Sequence, residues 1–252
     1  MTWRLNAPDW LAARPIAHGG LHDAAQGIVE NSLAAAQRAI AKAYAIECDV
    51  QLSKDGEAIV FHDETLARLI GAPGEIGALT TPEITRLAYK GSRERIATLA
   101  DFLATIAGRV PLIVELKSRF DGDPRLAARV AQIAASYAGP LALKSFDPQV
   151  LCTLRSLGVE PPLGLVAQAC YQAADWPELD KLVRRNLEAL VDFPSARPDF
   201  LSWHVGDLPH AVPLLCRAGM GMNVLVWTVR SEAERAIAQQ WADQIIFEGF
   251  EA

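Results

Sequence analysis

An alternation constrains this chain more than any single motif. Short apolar runs begin near residues 15, 45, 111, 141, 162, 199, 223 and 244, and most of the segments between them carry apolar residues at helical spacing. The runs are compact, as in P-L-I-V-E-L-K, L-A-L-K-S-F, P-L-G-L-V, F-L-S-W, N-V-L-V-W-T-V and Q-I-I-F. A strand, a helix and a further strand in succession imply a right-handed crossover between parallel strands. Eight such repeats close a barrel. The expected architecture is therefore α/β, a single TIM (β/α)8 barrel over residues 1–252 with a small insertion after strand 2. The insertion is expected at about 63–98, where Gly71, Pro73, Gly74, Gly77, Pro82 and Gly91 break the rhythm and leave one short helical piece near Pro82 to Leu87. Helices are expected over 33–44, 99–107, 124–137, 148–157, 178–190, 209–218 and 232–241.

Composition fits one folded globule. Apolar residues make up 51% of the 252 and charged residues 21%, with no low-complexity run. A net charge of −6 with dispersed lysines and arginines gives no footprint for nucleic acid, so an anionic ligand must be drawn by a local site. The N-terminal stretch M-T-W-R-L-N-A-P-D-W-L-A-A-R has no long apolar core, and no stretch approaches the ~20 apolar residues of a membrane span. A cytoplasmic enzyme acting on a small molecule, without stable membrane insertion, is the expectation; the oligomeric state is left open. Cys48, Cys152, Cys170 and Cys216 lie far apart and suggest neither a zinc site nor a disulfide framework.

Chemistry concentrates in Tyr44 to Leu66, Y-A-I-E-C-D-V-Q-L-S-K-D-G-E-A-I-V-F-H-D-E-T-L. Strand side chains alternate, so Ile46, Cys48 and Val50 point one way and Glu47, Asp49 and Gln51 the other. Acidic residues are poor strand formers, and two on one face crowd like charges, so something cationic should sit between them. The turn Ser53-Lys54-Asp55-Gly56 and the run Ala58 to Phe61 then bring His62 back towards the same end. In a barrel of this kind the strand C-termini form the active rim. His18, Glu47, Asp49, Glu115, Lys117, Lys144, Ser145, Trp203, His204 and Trp227 all fall there. Three carboxylate ligands suit a hard cation, Mg²⁺ or Ca²⁺, better than zinc. Two histidines on the same rim suit a general acid and a general base.

These residues together resemble the glycerophosphodiester phosphodiesterase family. The resemblance rests on I-A-H-G-G, V-E-N-S-L, the second-strand block, V-E-L-K, S-F-D-P and V-W-T-V, in order along most of the chain. It implies a TIM barrel that hydrolyses glycerophosphodiesters to glycerol 3-phosphate and an alcohol with one divalent cation, Mg²⁺ or Ca²⁺. By that resemblance Glu47, Asp49 and Glu115 are the metal ligands and His18 and His62 the acid–base pair. Lys117 contacts phosphate, Lys144 and Ser145 join the substrate site, and Trp227 packs on the glycerol or shapes the pocket mouth. The implied route is attack of the glycerol 2-hydroxyl on phosphorus, followed by hydrolysis of a cyclic phosphate.

Two departures stand out. The family's His-Arg-Gly is His18-Gly19-Gly20 here, so an arginine expected at the phosphate is missing, and the C-terminal Thr-Asp-Xaa-Pro pattern is replaced by Ile246-Phe247-Glu248-Gly249-Phe250. Losing one charge-assisted hydrogen bond costs about 1.5–3 kcal/mol, or roughly a ten- to hundredfold loss of rate. Gly19 motivates a second reading, a catalytically weakened barrel that binds phosphorylated ligands; a related phospholipase on the same fold, using the same ligands on lipid substrates, is a third. His22, His204 and His210 read as structural, Trp203 as core, and Glu30 with Asn31 equally as a helix cap or as part of the site.

Overall fold

The computed structural model describes residues 7–252, so Met1 to Asn6 of the N-terminal stretch lie outside it. Eight parallel strands form a closed ring: β1 (Ile16–Ala17), β2 (Ala45–Leu52), β4 (Leu112–Leu116), β5 (Leu141–Ser145), β6 (Leu163–Ala167), β7 (Phe200–His204), β8 (Asn223–Val229) and β9 (Gln244–Phe247). Pairing of β1 with both β2 and β9 completes the circle. The remaining strand, β3 (Ala58–Val60), lies outside the ring, antiparallel to the far end of β2 with Val50 opposite Val60. All eight expected ring strands are present.

Alternation within the strands separates two layers of core. Ile46, Cys48, Val50, Val114, Leu143 and Leu201 belong to the large apolar cluster that also takes in the surrounding helices. Ile16, Ala45, Ile113, Ala142, Phe200 and Ile246 form a second, smaller cluster, the plug of the barrel. The plug needs space as well as bulk. A Cβ on Gly164 would stand 2.2 Å from Phe200 Cε2, so glycine there is what lets the phenyl ring cross.

The helices follow the expected order with shorter ends. Ser32, Thr98, Asp147, Asp180 and Ser231 each accept a hydrogen bond from a first-turn amide, capping helices Leu33–Ala41, Leu99–Ile106, Pro148–Ser156, Lys181–Glu188 and Glu232–Trp241. A helix over Arg125–Ala134 fills the place between β4 and β5. The segment expected as one helix over 209–218 begins only at Ala211, because His210 caps it, and it passes after Leu214 into a π-turn over Leu215–Gly219.

Between His62 and Thr98 the chain is compact. Ile59, Phe61, Leu66, Ile76, Ile84, Tyr89 and Ile96 form a separate buried cluster around a helical turn at Thr81–Ile84. The excursion thus has a small core of its own, joined to the barrel through the β2–β3 pairing.

Candidate active site

On β2, β4 and β5 the inward-facing residues beyond the plug are polar, and strand register sets them side by side. Asp49 of β2 pairs with Glu115 of β4, which pairs with Lys144 of β5. Glu47, Asp49, Glu115 and Lys144 are all buried, with Glu47 fully inaccessible and Lys144 2% exposed. Lys144 Nζ lies 3.1 Å from both Glu47 Oε1 and Glu115 Oε2. Lys117 Nζ lies 2.7 Å from Asp49 Oδ1 and 2.6 Å from Glu115 Oε1. Three anions and two cations thus form one continuous network.

Charge compensation overrides burial here. Burial alone would raise the Asp49 and Glu115 carboxyls, yet Lys117 holds both below their ordinary range, aided by the two histidines at Asp49 and by Lys144 at Glu115. Burial likewise works against both ammonium groups, and the facing carboxylates hold each above the usual lysine value.

Backbone and side chains from the first loop fix the carboxylates. Asn31 Nδ2 donates to Asp49 Oδ2 at 2.9 Å, and the Asp49 amide donates back to Asn31 Oδ1 at 3.0 Å. The helix cap is Ser32, so Asn31 serves the site and not the helix. The Gly19 amide donates to Glu47 Oε2 at 3.2 Å. Gly19 has φ +59°, and a Cβ there would meet Glu30 Cβ at 3.1 Å. This turn therefore favours glycine on conformational and steric grounds.

The two histidines flank the carboxylates. His18 follows β1, with Nδ1 2.6 Å from Glu248 Oε2 and Nε2 3.9 Å from Glu47 Oε2. Burial disfavours its charged form, but Glu47 and Glu248 outweigh this and push its pKa up to about 9. His62 follows β3, and its pKa is raised chiefly by the Asp49 carboxylate. Its Nδ1 lies 2.9 Å from Asp63 Oδ1, and Arg68 contacts Asp63 at 2.7 Å while making two hydrogen bonds to Glu30. Glu30 thus belongs to the support of His62.

A divalent cation fits the residues present. Glu47 Oε1 and Asp49 Oδ1 are buried and, despite their lysine neighbours, lack a well-directed hydrogen bond. His18, Glu47 and Asp49 can each place a ligand atom within 4.8 Å of the others. Glu115 stands apart from this set, with one oxygen on each lysine.

Other expected residues are placed differently. Ser145 turns away from the mouth: its hydroxyl donates to Leu116 O at 2.8 Å and accepts from the Asp147 amide, so it braces β5 against β4. Trp203 is buried in the outer layer against His210. Trp227 is half-buried, donating from Nε1 to Ser202 O at 3.0 Å with its ring 5.3 Å from that of Phe146. Phe146 also packs on Tyr171 and Trp176, so Trp227 extends into an aromatic wall. The sequence reading takes His22 as structural and gives Glu248 no part in the site. His22 Nε2 is buried without a hydrogen bond, 3.7 Å from Glu248 Oε2. The signal for Glu248 was its place one residue past the last strand, the inward position of that strand's alternation.

A closed (β/α)8 ring with carboxylates, ammonium groups and imidazoles at the C-terminal mouth defines a TIM-barrel enzyme with an ionic, acid–base-equipped site. The profile of the glycerophosphoryl diester phosphodiesterase family matches residues 18–250, and this chain belongs to that family. A glycerophosphodiester phosphodiesterase of Caldanaerobacter subterraneus subsp. tengcongensis is 30% identical over 171 residues, which are 64% of this chain and 69% of the relative. An Oleispira antarctica phosphodiesterase, solved in complex with the product sn-glycerol-3-phosphate, shares the fold with a TM-score of 0.75 at 23% identity, covering 93% of this chain and 92% of that one. The Thermotoga maritima glycerophosphodiester phosphodiesterase gives 0.70 at 23% identity, covering 92% of each chain.

Proposed function

We propose that this chain hydrolyses glycerophosphodiesters to glycerol 3-phosphate and an alcohol, using one divalent cation, Mg²⁺ or Ca²⁺, and two histidines. The observation that carries the reading is the buried Glu47–Asp49 pair, in which Glu47 Oε1 and Asp49 Oδ1 face lysine ammonium groups at 3.1 and 2.7 Å without a well-directed hydrogen bond, and which lies within ligand distance of His18. Glu47 and Asp49 would hold the cation, with Glu115 joining once a lysine lets go of it. The bound cation would neutralise phosphate charge and acidify a hydroxyl. Lys117, with Lys144 beneath it, would then meet the non-bridging phosphate oxygens. His18 is assigned the acid that protonates the departing alcohol, because its neighbours favour the charged ring. His62 is assigned the base for the glycerol 2-hydroxyl, since Asp63 occupies Nδ1 and leaves Nε2 available. The two exchange roles when water opens the cyclic phosphate. Trp227 would line the glycerol side. A single domain in a cytoplasmic setting completes the proposal; among the described residues no helix is long and apolar enough to cross a membrane.

The test is a purified sample stripped with chelator, reloaded with Mg²⁺ or Ca²⁺, and offered a panel of glycerophosphodiesters with enzymatic detection of glycerol 3-phosphate. Cation-dependent release supports the reading, and silence across the panel in a folded, loaded sample refutes it. Gly19 favours a second reading, a barrel that binds phosphorylated ligands with little turnover. Tight phosphate binding without release would select it.

A further inference from the structure

Both histidines carry the same support. On one side of the mouth His62 Nδ1 meets Asp63 at 2.9 Å, and Asp63 meets Arg68 at 2.7 Å. On the other side His18 Nδ1 meets Glu248 Oε2 at 2.6 Å, and Glu248 Oε1 meets Arg230 Nε at 2.7 Å. Each imidazole is backed by a carboxylate, and each carboxylate by a guanidinium. The first trio is nearly local in sequence. The second joins the ends of β1, β8 and β9, three ring neighbours, in the segment where the C-terminal sequence departs from the family pattern.

We propose that Glu248 is a positioning residue for His18, fixing the ring through Nδ1 so that Nε2 faces the Glu47–Asp49 pair, with Arg230 holding the carboxylate in place from the rim. The proposal rests on the acid–base reading of His18. The backbone supports it: the His18 amide donates to Phe247 O at 2.9 Å and the Glu248 amide to Val229 O at 3.1 Å, so both side chains start from ring-anchored positions. Ring rotation is the freedom left to His18, and a 2.6 Å contact at Nδ1 removes it. His22 is not the anchor, because its Nε2 stands 3.7 Å from the oxygen that His18 reaches at 2.6 Å. Arg230 is 57% exposed and contacts Glu248 through Nε, so its guanidinium serves the carboxylate from outside the site.

The test compares Glu248→Ala, Glu248→Gln and His22→Ala in metal-loaded enzyme. It reads kcat and KM for a glycerophosphodiester and the Nδ1 proton of His18 in histidine-labelled protein by NMR. Loss of the carboxylate in Glu248→Ala should remove the downfield, exchange-protected Nδ1 proton signal and lower kcat by roughly ten- to a hundredfold with KM little changed. Glu248→Gln keeps an acceptor oxygen of the same shape, so the signal should persist and kcat should fall less. His22→Ala should match the wild type in both readouts. The proposal is overturned if Glu248→Ala keeps the signal and kcat, or if His22→Ala removes the signal as Glu248→Ala does. The NMR readout requires no turnover, so an inactive wild type would sink the proposed function and leave the positioning role decided separately.

Discussion

Replacing Lys144 with Met tests whether the site is a charge network waiting for a cation. The side chain is 2% exposed and stands 3.1 Å from both Glu47 and Glu115, and methionine is close to it in volume. After substitution Glu115 keeps Lys117 at 2.6 Å, whereas Glu47 keeps only the Gly19 amide at 3.2 Å and His18 at 3.9 Å. Breaking a buried pair by removing one partner costs about 3–5 kcal/mol. For a chain of this size that corresponds to a fall in Tm of roughly 6–20 °C in chelator. A cation between Glu47 and Asp49 replaces the missing charge, so it should stabilise Lys144→Met more than the wild type, for which a ligand at a hundred times its Kd contributes about 2.7 kcal/mol. The assay is thermal unfolding of both proteins in chelator and in saturating Mg²⁺ or Ca²⁺. The reasoning fails if the variant melts with the wild type in chelator, or if the cation raises both curves equally.

Three further outcomes are expected. Asn31→Ala leaves the Asp49 amide and Oδ2 without their partner, so divalent-cation affinity by calorimetric titration should weaken by roughly ten- to a hundredfold; unchanged affinity would remove Asn31 from the site. The folded-state pKa of His18, raised to about 9, lies above the unfolded value, so its contribution is fully present below about pH 6.5 and lost as pH rises through 9; chelated wild type should lose Tm across that window more steeply than His18→Gln. Gly19→Arg places a side chain at φ +59° against Glu30, so it should destabilise by about 1–2 kcal/mol in denaturant titration, and a stable, more active variant would show that the loop has room for the missing arginine.

Legibility followed the physics of each element. The ring strands were readable because each carries a bounded apolar run, and Glu47 and Asp49 because charges on a strand face need an explanation. The capped helices were readable to within a few residues, but Asp180 starts its helix later than the apolar pattern suggested. Ser145 was misjudged since a strand end names a rim and not a direction: its neighbour Lys144 faces in and Ser145 does not. The grouping of His18 and His22 with Glu248 is not legible because the histidines and Glu248 lie far apart along the chain, and closure of β1 against β9 brings them together. The packing of residues 62–98 was hidden too, as glycines and prolines mask a cluster assembled from single apolar residues.

That cluster gives the enzyme two thermal lives. His62 rides on the excursion, while His18 and the carboxylates stand on the ring, and a small packed unit joined by a three-residue strand opens at lower free energy than a closed barrel. Warming should therefore silence turnover before the ring unfolds, and reversibly so, with amide exchange rising first around Phe61 and Tyr89 while β4 and β5 stay protected.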